Sequence, residues 1–106
     1  MAELNDGGNG ASLEVLRDGP TTILKLGGEL DLASADRIER LAADVVEAVE
    51  ERLVVDAGGL RFADSSALAL WVKWRRAVPS LEVRNPPAAI RRVIETMGLA
   101  EVLGVS

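Results

Sequence analysis

The chain contains no cysteine and no histidine in 106 residues. The first absence excludes disulfides and thiolate metal sites, and the second removes the commonest general base and imidazole metal ligand. Positive charge is also in short supply. Twelve Lys and Arg stand against seventeen Asp and Glu, a net charge of −5, which disfavours a nucleic-acid binder because such proteins present a basic face. The longest apolar runs are too short to cross a bilayer, and Met1-Ala2-Glu3-Leu4-Asn5-Asp6 carries no signal-peptide apolar core, so a cytoplasmic protein without membrane insertion is expected. The glycine pairs at 7–8, 27–28 and 58–59 match no phosphate-binding loop, and no nucleotide or other cofactor is expected.

What remains is an ordinary globular balance, 48% hydrophobic and 27% charged, in a length that suits one small core. Residues 1–11 hold Asn, Asp and Gly with little to bury and read as a flexible tail, leaving 12–106 as the domain. Leu13 to Leu16 and Thr21 to Gly28 read as two strands joined by the turn cluster Arg17-Asp18-Gly19-Pro20, with Thr22, Leu24 and Leu26 on one face. From Ser34, the expected N-cap, Ile38, Leu41, Ala42, Val45 and Val49 step by three and four, with Asp36 placed in the first turn of that helix.

Arg52 to Asp56 returns to strand, and its continuous apolar run suits an interior parallel one. A second helix is expected from Ser65 to Ala77, stopped by Pro79, then a short strand at Leu81-Glu82-Val83. A third helix follows, capped by Asn85, with Ile90, Val93, Ile94 and Met97 as its buried stripe and Gly98 beyond its end. Val102 to Val105 is a candidate last strand. This order implies an α/β domain with a mostly parallel sheet of four or five strands, an N-terminal hairpin and three helices.

The stretch around Asp64-Ser65-Ser66 lies where the chain leaves a strand and enters a helix. Short polar residues there cap the free N–H groups of a first turn. Two hydroxyls beside one carboxylate are more than a cap needs, and a phosphate at that place would meet a positive dipole end. A serine nucleophile lacks a base in a chain without histidine and with no lysine near Ser65 in sequence, so an enzyme is not expected. Asp56 and Asp64 are expected to serve separate turn and cap roles rather than a metal site. Trp71 fits a helical core stripe, whereas Trp74 fits either that stripe or an exposed interface anchor.

Four stretches carry a family likeness. Phe62-Ala63-Asp64-Ser65-Ser66-Ala67-Leu68 resembles the "DSSGL" signature of anti-sigma factor antagonists, the bacterial branch of the STAS domain family. Gly28-Glu29-Leu30-Asp31 with Ala35, Val54-Val55-Asp56 with Gly59-Leu60, and Pro87 to Ile94 with Gly98-Leu99 resemble three further family segments in the family's order, together spanning about residues 13–105.

The resemblance implies a STAS-like sheet with helices chiefly on one side, and Ser65 as phosphoacceptor. It implies a partner-binding patch of Asp31, Asp64, Ser65, Ser66 and Ala67, to which Trp74 is added as the candidate anchor. The implied partner is an anti-sigma factor with a kinase-type ATP-binding fold, held by the unmodified form so that a sigma factor is released. A serine phosphatase would reset the switch. At Ala67 the family usually has Gly, so a methyl group is expected to narrow the set of kinases that fit. STAS domains also serve as unphosphorylated subunits of lipid-transport ABC systems or scaffolds, which is the alternative function.

Overall fold

The computed structural model describes residues 2–4 and 10–105. Strand β1, Ala2–Leu4, pairs antiparallel with β2, Ala11–Asp18, in the register Leu4↔Leu13. This corrects part of the expected loose tail. The outer edge of β2 has unpaired backbone groups, and a strand laid along it satisfies them whatever the composition of the added segment. The rest of that tail, residues 1 and 5–9, falls outside the described residues.

β2 returns as β3, Thr21–Leu30, through a two-residue turn at Gly19-Pro20 in which Gly19 has φ 60°. Helix α1, Leu32–Glu47, then carries the chain to β4, Arg52–Ala63, which lies parallel to β3. Helix α2, Ser65–Ala77, leads to β5, Leu81–Arg84, parallel to β4, and helix α3, Ala88–Thr96, follows. The five strands lie in chain order across one sheet, antiparallel on the β1–β2–β3 side and parallel on the β3–β4–β5 side. The candidate strand at Val102 to Val105 is mostly turn, closed by one parallel bridge from Val105 to Val83.

Alternation along the strands decides where the core sits. Leu13 and Val15, Thr22, Leu24 and Leu26, Leu53, Val55 and Ala57, and Leu81 and Val83 point to one face and are all buried. The helices pack side by side over that face through Ile38, Ala42, Val46, Leu70, Trp71, Trp74, Ile90 and Ile94. The opposite face carries Leu16, Ile23 and Val54 in one row across β2, β3 and β4, with Glu14 and Lys25 paired at 3.9 Å beside it. Arg52 and Arg84 both pair with Glu82 there, so this face is a sheet surface finished with its own ion pairs.

β4 is longer than the apolar run Leu53-Val54-Val55 suggests. It carries an extra residue against β3 at two places, between Lys25 and Gly27 and between Gly28 and Glu29. These irregularities need glycine. Gly28 has φ 81°, and a Cβ on it would run into the Gly10 carbonyl oxygen; a Cβ on Gly59 would lie 2.8 Å from the Leu26 oxygen. Asp56, expected to end the strand in a turn, lies instead within β4 beside the first irregularity, its Oδ1 accepting from the Gly58 N–H at 2.9 Å.

Two helix starts differ from expectation. Asp31 rather than Ser34 caps α1, because the Asp31-x-x-Ser34 spacing forms a reciprocal box and Leu30, fully buried at the strand end, is followed at once by the helix. Asp36 therefore lies past the first turn and pairs with Arg40 at 2.6 Å. Asn85 does not cap α3; it takes φ 54° in the turn after β5, and the extended Pro87 becomes the cap without a side-chain bond. Gly98, with φ 71°, ends α3 as expected: its N–H donates to the Glu95 carbonyl while the Leu99 N–H donates to that of Ile94.

Candidate functional site

β3 and β4 end side by side, with Leu30 and Ala63 in register, and the Asp64 N–H donates to the Leu30 carbonyl at 3.2 Å. The first turns of α1 and α2 therefore open next to each other on one rim of the sheet. Each is closed by an aspartate. Asp31 Oδ1 accepts from the N–H groups of Ala33 and Ser34 at 3.0 and 3.1 Å, while Ser34 Oγ accepts from the Asp31 N–H at 3.1 Å and donates to the Glu29 carbonyl at 2.9 Å. Asp64 Oδ1 accepts from the Ser66 N–H at 2.8 Å.

Both carboxylates thus spend acceptor capacity on their own loops, which fixes the backbone on either side of the rim. Asp31→Ala is expected to cost about 1 kcal/mol of stability, within the roughly 0.5–2 kcal/mol seen for cap removal. Asp64→Ala, which loses one such bond rather than two, is expected to cost less; urea unfolding of the two variants checks the order.

Ser65 is the first residue of α2 and is exposed; Ser66 is half-buried behind it. Ala67 has no exposed surface, so its methyl points into the core and adds nothing to the rim. The expected narrowing of access by that methyl does not arise, and Ala67 offers no side chain to a partner. Trp74 is likewise only 3% exposed and packs in the core with Trp71, which rules it out as an exposed anchor. The pattern admitted two stripes for α2, and burial of Ala67, Leu70, Trp71 and Trp74 along with Leu68 selects the one containing Trp74.

Phe62 near the end of β4 is 49% exposed, and the apolar group that stands freest at the rim is Leu32, 81% exposed. Sequence reasoning passed over it because a cap at Ser34 leaves Leu32 in a connecting loop; a cap at Asp31 makes it the first helical residue, facing outward. Grooves flank α2 on both sides. One, against α1, is about 290 Å³ and is lined by Leu32, Ala35, Ser66, Ala69 and Leu70, with Lys73 paired to Glu39 at 2.6 Å across it. The other, against α3, is about 560 Å³ and reaches Ser65 at its end.

Chemically the rim displays an exposed hydroxyl, that of Ser65. Among the described residues no cluster of carboxylates has the arrangement to hold a metal ion, and no helix is long and apolar enough to cross a membrane.

Residues 13–104 match a family model described as "Mlab, STAS domain". The chain belongs to the STAS domain family. Solved structures agree on the fold. An anti-sigma factor antagonist from Mycobacterium paratuberculosis superposes with a TM-score of 0.81 at 21% identity, covering 90% of this chain and 84% of that one. The anti-sigma factor antagonist SpoIIAA in its unphosphorylated form gives 0.73 at 20% identity, covering 89% and 87%. The Bacillus SpoIIAA in its phosphorylated form gives 0.69 at 20%, covering 89% and 90%. No curated protein sequence matches the chain. The sheet with its N-terminal hairpin and three helices on one face is thus the STAS fold, and the Asp64-Ser65-Ser66 junction sits on its rim.

Proposed function

We propose that this STAS domain is a cytoplasmic anti-sigma factor antagonist that changes partner when Ser65 is phosphorylated. The unmodified form binds an anti-sigma factor with a kinase-type ATP-binding fold, through Asp31, Leu32, Asp64, Ser65 and Ser66, and so releases a sigma factor. That partner, holding ATP, transfers phosphate to Ser65 and dissociates; a serine phosphatase restores the hydroxyl. The domain itself is a regulator of transcription rather than an enzyme. The observation that carries this reading is the exposed Ser65 hydroxyl at the start of α2, one strand-end away from the exposed Leu32.

The physics of the position supports it. A phosphoserine carries about −1.5 to −2 charges. At a helix N-terminus such charge is favoured by roughly 0.3–1 kcal/mol, so the fold should tolerate the modification. SpoIIAA, which shares the fold, has been solved in both forms. Across an interface the same group must be desolvated beside Asp64, at a cost of several kcal/mol.

Incubating the protein with its anti-sigma factor and ATP is expected to add about 80 Da, the mass of one phosphoryl group, located on Ser65 and absent from Ser65→Ala. Absence of that gain, together with stable capture of an ATPase subunit, would instead favour the scaffold role known for other STAS domains.

A further inference from the structure

The groove between α2 and the end of α3 has a volume of about 560 Å³ and is lined by Ser65, Leu68, Val72, Arg76, Met97 and Leu99 among others. Its second wall, formed by Met97 at the C-cap of α3 and Leu99 just beyond it, is where sequence pattern and structure part company. Val93 and Met97 continue the amphipathic spacing of Ile90 and Ile94, yet Val93 is 39% and Met97 61% exposed. The pattern writes an apolar stripe wider than the domain covers by itself. Charge is distributed unevenly along the α2 wall. Lys73 is paired with Glu39, whereas Arg76 is exposed and makes no ion pair among the described residues. In a chain of net charge −5 this free cation stands beside an apolar trough.

From these observations we infer that the α2–α3 groove docks an amphipathic helix of the partner, with apolar side chains seated on Leu68, Val72 and Met97 and a carboxylate against Arg76. The trough runs from Ser65 to Arg76, eleven residues of helix or about 16 Å, the length of three turns of a docked helix. An unbranched, flexible Met on one wall suits side chains of varied shape. The inference deepens the reading of Ser65, since Ser65 forms one end of the trough: a phosphate there would place charge at the mouth of an apolar seat. An acyl chain with an anionic head is the other ligand such a groove invites. Three turns of matched length and a cation at one end, with an uncharged hydroxyl at the other, favour the helix.

The test is selection of a random displayed library of peptides about 14 residues long, roughly 21 Å as helices, against the unmodified protein. Selected peptides should carry apolar residues at i, i+3 or i+4 and i+7 with an Asp or Glu on the flank. Their binding should fall at least about tenfold on Arg76→Glu, equivalent to about 1.4 kcal/mol, and be lost on Met97→Asp. Both positions are exposed, so the variants should fold, which circular dichroism checks. Peptides without helical spacing or acidic residues, equal binding by both variants, or no enrichment while dodecanoate binds or fails to bind would each overturn the inference. The phosphorylation assay is read separately: selected helices that obey this pattern stand even if no phosphate reaches Ser65.

Discussion

Ser65→Asp is expected to lose the anti-sigma factor that Ser65→Ala retains, by roughly a hundredfold or more in affinity. The estimate follows from the placement of the side chain. Ser65 lies at the rim, where the proposed partner would exclude water, and the carboxylate of Asp64 is next to it in the chain. A second carboxylate buried there without a cation costs several kcal/mol, and about 2.8 kcal/mol already corresponds to a hundredfold. Alanine removes the hydroxyl without adding charge, so it loses at most one hydrogen bond of about 0.5–1.5 kcal/mol.

The fold should not report the difference. An acidic residue in the first turn of α2 meets the positive end of the helix dipole, and the melting temperature of Ser65→Asp should equal or slightly exceed that of the parent. Titration calorimetry of the three proteins against the purified anti-sigma factor, beside thermal melts, makes the comparison. Equal affinities for all three would remove Ser65 from the interface.

The second large effect concerns stability. Trp71→Ala is expected to cost about 3–5 kcal/mol, as for other large core truncations. Trp71 has no exposed surface, and it lies in the same buried cluster as Leu70, Trp74 and the sheet residues Leu53, Val55 and Val83. Against a total of about 5–15 kcal/mol for a domain, that is a large fraction, and the melting temperature should fall by more than about 12 °C. Trp71→Phe should behave differently. Its ring keeps much of the apolar contact and removes an indole N–H that is buried without an acceptor among the described residues. We expect that substitution to cost less than about 1.5 kcal/mol by urea unfolding. A Phe variant as damaged as the Ala variant would mean that the indole N–H is hydrogen-bonded after all.

The contrast between the two tryptophans marks how far the sequence could be read. The periodic signals held where one face of an element had a single way to be buried. Thr22, Leu24 and Leu26 alternate, Ile38 and Ala42 of the expected α1 stripe are buried with Leu41, Val45 and Val49 packed partly buried beside them, and α2 runs from Ser65 to Ala77 as its pattern and Pro79 indicate. Positions admitting two packings were undecided, as at Trp74, because only the neighbouring helix determines which stripe faces inward. Helix starts went astray for a related reason. Asp31 and Ser34 are both good caps, and only the strand end at Leu30 decides which acts as one. Strand β1 lay beyond sequence reading, since backbone pairing to a free edge leaves no trace in side-chain pattern.

Of the site, Asp64-Ser65-Ser66 was legible from its place at a strand-to-helix junction. Leu32 and the open stripe of Val93 and Met97 were not, because exposure of an apolar residue depends on what the rest of the chain leaves uncovered.

The ion pair between Lys73 and Glu39 has a practical consequence. The chain has just two lysines, and the sheet separates them: Lys73 rises between the two grooves beside α2, while Lys25 sits on the bare side with Glu14. Amine-reactive reagents therefore probe both sides of the molecule in a single reaction, and shielding of one amine relative to the other reads out which side a visitor occupies. For the same reason, attachment to a sensor surface through Lys25 leaves the helix rim clear, whereas coupling through Lys73 obstructs the grooves beside α2.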